Sequence, residues 1–358
     1  MSDSIYKIGV IGLGSMGTRF MRHLTESDRW DLVAACDLSD ERLEWARETY
    51  PGIETTKSSA DIIARPDLDA VGIFTLADIR PQLMEQALEQ DKHILAEKPI
   101  GDSIAVEKEL LSKIEASDRI VAVNIFNRNA WYHEQMQEFI REGEIGEVAA
   151  LTISHQTSGL MPTEGHGPEG APFHDCGMHY VDVARWYAGS EYDKWHAQGL
   201  KMWSWKDPWW INAHGCFKNG VVFSITQGFT YGQMAETKVV RCGMDVIGTQ
   251  GVIRMQHDFE TVRIEYHGVT RTEVKEGPYG GKKLNVMCER FAQALDTGVP
   301  GLLPTARDSV IASEVSQAML DAASGDASPC VGTPEEMAEI LAHREQRRQV
   351  EDESPDEI

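Results

Sequence analysis

The stretch FHDCGMHYVDVARW, Phe173 to Trp186, places His174, Asp175, His179 and Asp182 within nine positions among residues suited to a protein interior. An imidazole titrates near neutral pH and can exchange a proton with a hydroxyl, and a carboxylate one turn away can orient the ring and favour its charged form. If a helix begins near Asp175, then Asp175, His179 and Asp182 follow at i, i+4 and i+7 and share one face. Tyr180, Val181, Val183, Ala184, Trp186 and Tyr187 cover the rest, so the helix should be buried and its polar groups should need partners or a ligand. A metal is the competing use for His166, His174, Asp175 and His179. The i, i+5 spacing of His174 and His179 is poor for two ligands on one helix face, and no metal is expected. His174 and Asp182 stay open between substrate contact and support of the helix, and Asp182 can equally pair with Arg185.

A second constellation lies near the N-terminus. GLGSMG, Gly12 to Gly17, has the GxGxxG form between an expected strand and an expected helix. Gly12 allows the tight turn, Gly14 lets backbone N–H groups approach a pyrophosphate, and Gly17 lets the helix pack close to the strand; Leu13, Ser15 and Met16 complete the loop. Asp37 ends the next expected strand about 20 residues on, where a carboxylate can accept hydrogen bonds from an adenosine ribose. It would repel a 2′-phosphate, so NAD is favoured over NADP, with Arg42 softening the preference. A third feature, AEKP, follows the apolar run His93 to Ala96 and holds Lys98 beside Pro99 at a strand end, the edge where open α/β sheets bind ligands.

These residues need a scaffold. The first 125 residues alternate β-branched runs (Lys7 to Ile11, Leu32 to Cys36, Ala70 to Thr75, His93 to Ala96, Ile120 to Val123) with amphipathic helical stretches. That alternation predicts a doubly wound parallel sheet, the α/β class, for domain 1–125. From 126 to 335 a helix is followed by longer alternating runs, from Glu147 to Tyr266, separated by turn signals such as KNG and GTQG. They predict a large, mainly antiparallel open sheet, closed by helices at Leu284 to Leu295 and Arg307 to Ala323. Residues 336–358 read as a charged tail.

The 358-residue chain carries 57 acidic and 34 basic residues, a formal charge of -23, which argues against nucleic acid or anionic membrane as partner. No apolar run approaches the roughly 20 residues that span a bilayer. The N-terminal apolar run lacks a basic leader and reads as a strand. Six scattered cysteines without CxxC spacing suit reduced thiols, and a cytoplasmic location is expected.

GLGSMG, Asp37, KHILAEKPI and HDCGMHYVD, in this order, resemble the glucose-fructose oxidoreductase / inositol dehydrogenase / rhizopine-catabolism (Gfo/Idh/MocA) family. NRNAWYHEQMQEFIREGEIGEV, VIGTQGVI and FAQALDTGVPGLLPTARDSVIASEVSQAMLDAASG extend the resemblance over nearly the whole chain. It implies a Rossmann domain, then an α/β domain whose open sheet face makes a homodimer or homotetramer. It also implies oxidation or reduction of a secondary alcohol on a sugar, cyclitol or polyol with NAD(H) or NADP(H). By motif match Lys98 falls on the catalytic lysine, often before a cis proline, and Glu97 near the nicotinamide ribose. Thr75 and Leu76 fall among the cofactor contacts, Asp175 and His179 on the Asp and His of DxGxH. Arg128 and His155 fall near positions that hold substrate hydroxyls. Three segments depart from the family pattern: TLADIR, Thr75 to Arg80, replaces TPNxxH; APFH stands where glycines commonly precede DxGxH; and Gln and Thr follow His155.

In this frame His179 is the expected general base, oriented by Asp175, while Lys98 stabilises the reacting oxygen and Asp182 can bind a hydroxyl. The alternatives are an NAD-dependent glycosidase working through transient sugar oxidation, and a non-catalytic dinucleotide- or sugar-binding regulator. The tryptophans of MWSWKDPWW, Met202 to Trp210, suit either sugar stacking or a core.

Overall fold

The computed structural model describes residues 4–158, 169–203, 206–232, 235–237, 239–325 and 330–351. The first half of the chain forms β1 (Tyr6–Ile11), α1 (Ser15–Glu26), β2 (Trp30–Cys36), α2 (Asp40–Thr49), β3 (Glu54–Thr56), α3 (Ser59–Ile63), β4 (Ala70–Ile73), α4 (Arg80–Glu89), β5 (His93–Ala96), α5 (Ile104–Glu115) and β6 (Val121–Val123). A 3-10 turn, Phe126–Asn129, leads to α6 (Trp131–Arg141) and β7 (Val148–Thr157), and a π turn, Phe173–Gly177, leads to α7 (Met178–Ala188). Then come β8 (Tyr192–Leu200), β9 (Trp210–Phe217), β10 (Val222–Gly228), β11 (Val240–Gly248), β12 (Val252–His257), β13 (Thr261–His267) and β14 (Thr272–Pro278). Three helices follow: α8 (Leu284–Thr297), α9 (Ala306–Gly325) and α10 (Pro334–Glu351).

The chain divides into two compact units, the first holding residues up to Ala130, Glu169 and Lys282–Ser313. Its sheet has the order β3-β2-β1-β4-β5-β6 with every neighbour parallel, the doubly wound arrangement expected from the alternation. One face packs Phe20, Met21 and Leu24 of α1 with Leu284, Met287, Cys288 and Phe291 of α8. The other packs Ile62 of α3, Leu83 and Met84 of α4, Leu110 of α5 and Val310 of α9. Each such buried side chain stabilises the fold by about 1.5–3 kcal/mol. Trp30 ties β2 to α8: its Nε1 donates to the Cys288 carbonyl at 3.0 Å and its ring stacks on Phe291. The segment Lys282–Ser313, which the sequence pattern groups with the second domain, thus packs with the first unit.

The second unit is built on an eight-stranded sheet, order β14-β13-β12-β11-β7-β10-β9-β8, antiparallel except for β7 with β10. Alternate residues are buried, among them Ile153, Ile225, Val246, Ile253 and Ile264, while Val222, Ile247 and Val274 are exposed. Phe139 of α6 packs on Tyr266 of β13, and Tyr180 of α7 on His155 of β7. Strands β8 and β14 are additions to the expected set. The charged tail contains α10, whose Ile340 is buried with Trp203, Trp209 and Phe229. Those two indoles are therefore core, and Trp210 Nε1 donates to Gln156 Oε1 at 3.2 Å; Trp205 lies outside the described residues. Among the described residues no helix is long and apolar enough to cross a membrane.

Candidate active site

In the first unit β1 runs into the glycine turn. Gly12 has φ +91°, the left-handed region, and a Cβ there would lie 2.9 Å from the Phe74 carbonyl. At Gly17 a Cβ would lie 1.9 Å from the Gly12 oxygen, so α1 could not approach the turn. Gly14 differs: a Cβ would meet no protein atom within 4 Å. It is also the N-cap of α1, with no side-chain capping bond and no acidic residue in the first turn. The protein itself does not demand a glycine at that position, whereas a pyrophosphate lying against the helix N-terminus would.

Asp37 follows β2. Its Oδ2 accepts from the Leu13 backbone N–H at 2.7 Å and its Oδ1 from that of Ser39 at 2.9 Å, with Arg42 at 3.4 Å. A carboxylate has about four acceptor positions, so two backbone bonds fix the group and leave capacity for ribose hydroxyls. Lys282 lies with Nζ 3.6 Å from Met16 Sδ and 5.7 Å over the Phe126 ring, a cation beside the turn that the motif did not reveal.

The ends of β4, β5 and β6 form the rest of this edge. The Lys98–Pro99 peptide is cis, as the resemblance implies. Glu97, 7 % exposed, accepts from Asn124 Nδ2 at 2.5 Å and from the Lys98 backbone N–H at 3.3 Å. Asn124, which the motifs did not single out, stands one residue past β6 on the same sheet edge. Among the described residues, Thr75 Oγ1 and Asn124 Oδ1 are buried without a hydrogen-bond partner. Orphaned polar atoms at the strand ends of the same sheet edge as an open glycine cradle fit a dinucleotide. Leu76 is largely exposed. Arg80, at the last position of TLADIR and given no site role from the sequence, is fully buried and paired with Glu169 at 3.1 Å. Arg128 pairs with Asp308 at 3.1 Å, its carbonyl accepting from Arg290.

In the second unit Asp175 stands on the π turn and His179 on the first turn of α7, a change from the regular helix expected to begin near Asp175. Among the described residues no group of three or more His, Cys, Asp or Glu is arranged to hold a metal; His166 lies outside them. His174, His179 and Asp182 are buried, and Gly170, φ +89°, makes room for the His174 ring, whose Nδ1 a Cβ would meet at 2.6 Å. Arg185 is occupied by Glu191, Nε to Oε2 2.9 Å.

His155 stacks on Tyr180 at 4.7 Å and sits in a row of side chains running across the sheet in register: Gln227, His155, Cys242 and His257. Burial pushes the His155 imidazole down to about 3 and that of His257 down to about 4, so both are neutral at pH 7. Among the described residues, His155 Nδ1, Gln227 Nε2 and His257 Nδ1 have no hydrogen-bond partner.

A sheet of this order, with a glycine turn tied to a strand-end aspartate, defines a dinucleotide-binding Rossmann protein. The chain belongs to the Gfo/Idh/MocA family: residues 6–125 match its model of an oxidoreductase family with an NAD-binding Rossmann fold, and residues 133–254 its C-terminal domain. Myo-inositol 2-dehydrogenase of Thermotoga maritima is 26% identical over 193 residues, 54% of this chain and 58% of that protein. The 1,5-anhydro-D-fructose reductase of Ensifer adhaerens is 25% identical over 255 residues, 68% of this chain and 73% of that protein. Against several curated relatives the chain spans about half their length, 50% to 58%. Scyllo-inositol dehydrogenase of Lactobacillus casei, solved with NAD(H) and scyllo-inositol, superposes with a TM-score of 0.75 at 20% identity, over 90% of this chain and 98% of that one.

Proposed function

We propose that the chain is an NAD-dependent dehydrogenase of secondary alcohols on sugars, cyclitols or related polyols. The observation that carries this reading is one sheet edge holding both a glycine turn bonded to Asp37 and the cis Lys98–Pro99 turn. Gly12, Leu13, Gly14, Ser15, Met16 and Gly17 would hold the pyrophosphate and Asp37 the adenosine ribose, its charge favouring NAD over NADP. Thr75, Leu76, Glu97 and Lys98 would line the nicotinamide end. The bound dinucleotide supplies the hydride acceptor.

His179 takes the hydroxyl proton, Asp175 orients its ring, and Lys98 donates a hydrogen bond to the oxygen as it gains charge. His155, Arg128 and Asp182 hold further hydroxyls; a neutral His155 can both donate and accept, which suits an uncharged polyol. The exposed Val222, Ile247 and Val274 on the second sheet support a homodimer or homotetramer through that face. The location that goes with this reading is the cytoplasm, which scattered cysteines without CxxC spacing suit.

The test is NADH formation across aldoses, inositols, sugar acids and anhydrosugars, with His179→Ala and Lys98→Ala as controls. Full activity of both variants on the best substrate would overturn the assignment of roles. Glycoside cleavage without net NADH would select the glycosidase instead, and cofactor binding without any turnover the regulator.

A further inference from the structure

Arg80 opens α4 with Pro81 behind it, and its side chain is buried. A helix N-terminus carries partial positive charge, so a buried cation there is placed against the local electrostatics as well as against desolvation. Its guanidinium nevertheless donates to three acceptors from separate parts of the first unit. These are the carbonyl of Thr75 after β4, the carbonyl of Pro99 in the cis turn after β5, and Glu169 Oε1 at 3.1 Å. Glu169 Oε1 also accepts the Ala77 backbone N–H at 3.1 Å. Strands β4 and β5 are paired up to Ile73 with Ala96, and the Glu97 N–H donates to the Ile73 carbonyl at 3.2 Å; among the described residues the ladder does not continue into the Thr75–Ala77 loop or past Glu97. One planar fork spans them instead, a task that suits arginine's fixed donor geometry and not lysine's single ammonium. Glu107 also feels the charge of Arg80, but burial pushes its carboxyl up to about 8, so it is mostly protonated at pH 7, and Glu169 is the carboxyl bonded directly to the guanidinium.

We infer that Arg80 and Glu169 are positioning residues: they set the spacing between the Thr75–Ala77 loop and the Glu97–Pro99 turn, and so place Lys98 against the nicotinamide end of the cofactor and the reacting oxygen. The inference rests on the proposed function for the meaning of Lys98, and on bonds within the first unit for the rest. Side chains that contradict local preference while bridging two strand-end loops are expected where function requires a fixed spacing.

The experiment uses the full chain as wild type, Arg80→Lys, Arg80→Gln and Glu169→Gln. Glu169→Gln keeps an oxygen for Ala77 and is the variant most compatible with folding; if Arg80→Gln fails to fold, the other two carry the test. Four readouts are taken: kcat, its pH profile and KM on the best polyol; NADH affinity by fluorescence; Tm; and the acylation rate of Lys98 in the cofactor-free protein by mass spectrometry, relative to Lys57. Expected in folded variants are a fall in kcat of about ten- to a hundredfold with KM changed less, and faster acylation of Lys98 with Lys57 unchanged. Arg80→Lys should not rescue. Wild-type kcat and Lys98 acylation in the folded variants would overturn the inference. So would a parallel loss of Tm and kcat with Lys98 acylation and the pH profile of kcat left as in wild type, since a structural role alone predicts that pattern. If the wild-type chain turns over no polyol, the proposed function falls and the acylation of Lys98 alone decides for or against Arg80.

Discussion

The Leu13 backbone N–H donates to Asp37 Oδ2 at 2.7 Å, so the loop expected to hold the pyrophosphate and the carboxylate expected to hold the ribose are joined directly. Asp37→Ala should then do two things at once. It removes the charge that disfavours a 2′-phosphate, shifting the ratio of NAD to NADP affinity toward NADP. It also leaves the Leu13 and Ser39 N–H groups without their acceptor, at a cost on the order of 1–3 kcal/mol for each that stays buried. Titration of both dinucleotides and a thermal melt check this; an unchanged NAD to NADP ratio would contradict the role given to Asp37.

The two glycines around the start of α1 should respond in opposite ways. Gly17→Ala forces a Cβ to 1.9 Å from the backbone oxygen of Gly12, which cannot rotate away, so melting should reveal a severe loss of stability. Gly14→Ala meets nothing within 4 Å, so it should melt like the wild type yet bind NAD more weakly. A Gly14→Ala protein with unchanged NAD affinity would remove the cofactor as the reason for that glycine.

Acid should unfold the second unit through its buried histidines. Burial lowers His133 and His155 to about 3 and His257 to about 4, from 6.5. Their folded pKa values are depressed, so below 6.5 the unfolded chain takes up protons that the native state refuses. This part of the stability is whole above pH 6.5 and is lost as the pH falls toward 4. Between pH 7 and 5 each ring can account for about 2 kcal/mol. Urea titrations at the two pH values should find a smaller difference for His155→Phe and His257→Phe than for wild type.

Glu107 predicts a slope of the opposite sense. Burial raises its carboxyl from 4.5 to about 8, and Ser313 Oγ bonds it at 2.5 Å. The native state keeps this proton while the unfolded chain gives it up, so stability falls as the pH rises from 4.5 through 8. Glu107→Gln should hold the Ser313 bond and flatten this limb, making the variant the more stable protein at pH 8. Identical alkaline limbs in wild type and Glu107→Gln would refute the raised value.

Local features were the legible ones. A strand, a glycine turn, a helix and a strand-end acid lie within Lys7 to Asp37, and each follows from short-range sterics and hydrogen bonding. Arg80 was not legible, because TLADIR reads only as a motif lost, and the carboxylate that gives it meaning, Glu169, lies 89 residues away. The π turn at Phe173–Gly177 was equally hidden, since apolar spacing does not distinguish i→i+4 from i→i+5 bonding over five residues. Strand β14, TEVKEGP, is missed for another reason: as an edge strand with charged residues and little burial it lacks the hydrophobic alternation that marks inner strands. Trp203 and Trp209 resolve into core only once α10 is seen to supply Ile340.

Helix α8 closes one face of the first sheet from residues 284–297, far from the strands it covers. The dinucleotide-binding unit is therefore discontinuous in the chain, and a nascent polypeptide has made all six of its strands long before it has the helix that shields Phe20, Met21 and Leu24. On a ribosome adding roughly 5–20 residues per second, that face stays uncovered for many seconds while the second sheet is synthesised. The order of synthesis thus runs against the order of assembly: the unit whose strands are made first is finished only after those of the second, and a fragment ending at Ala130 would expose an apolar face to aggregation.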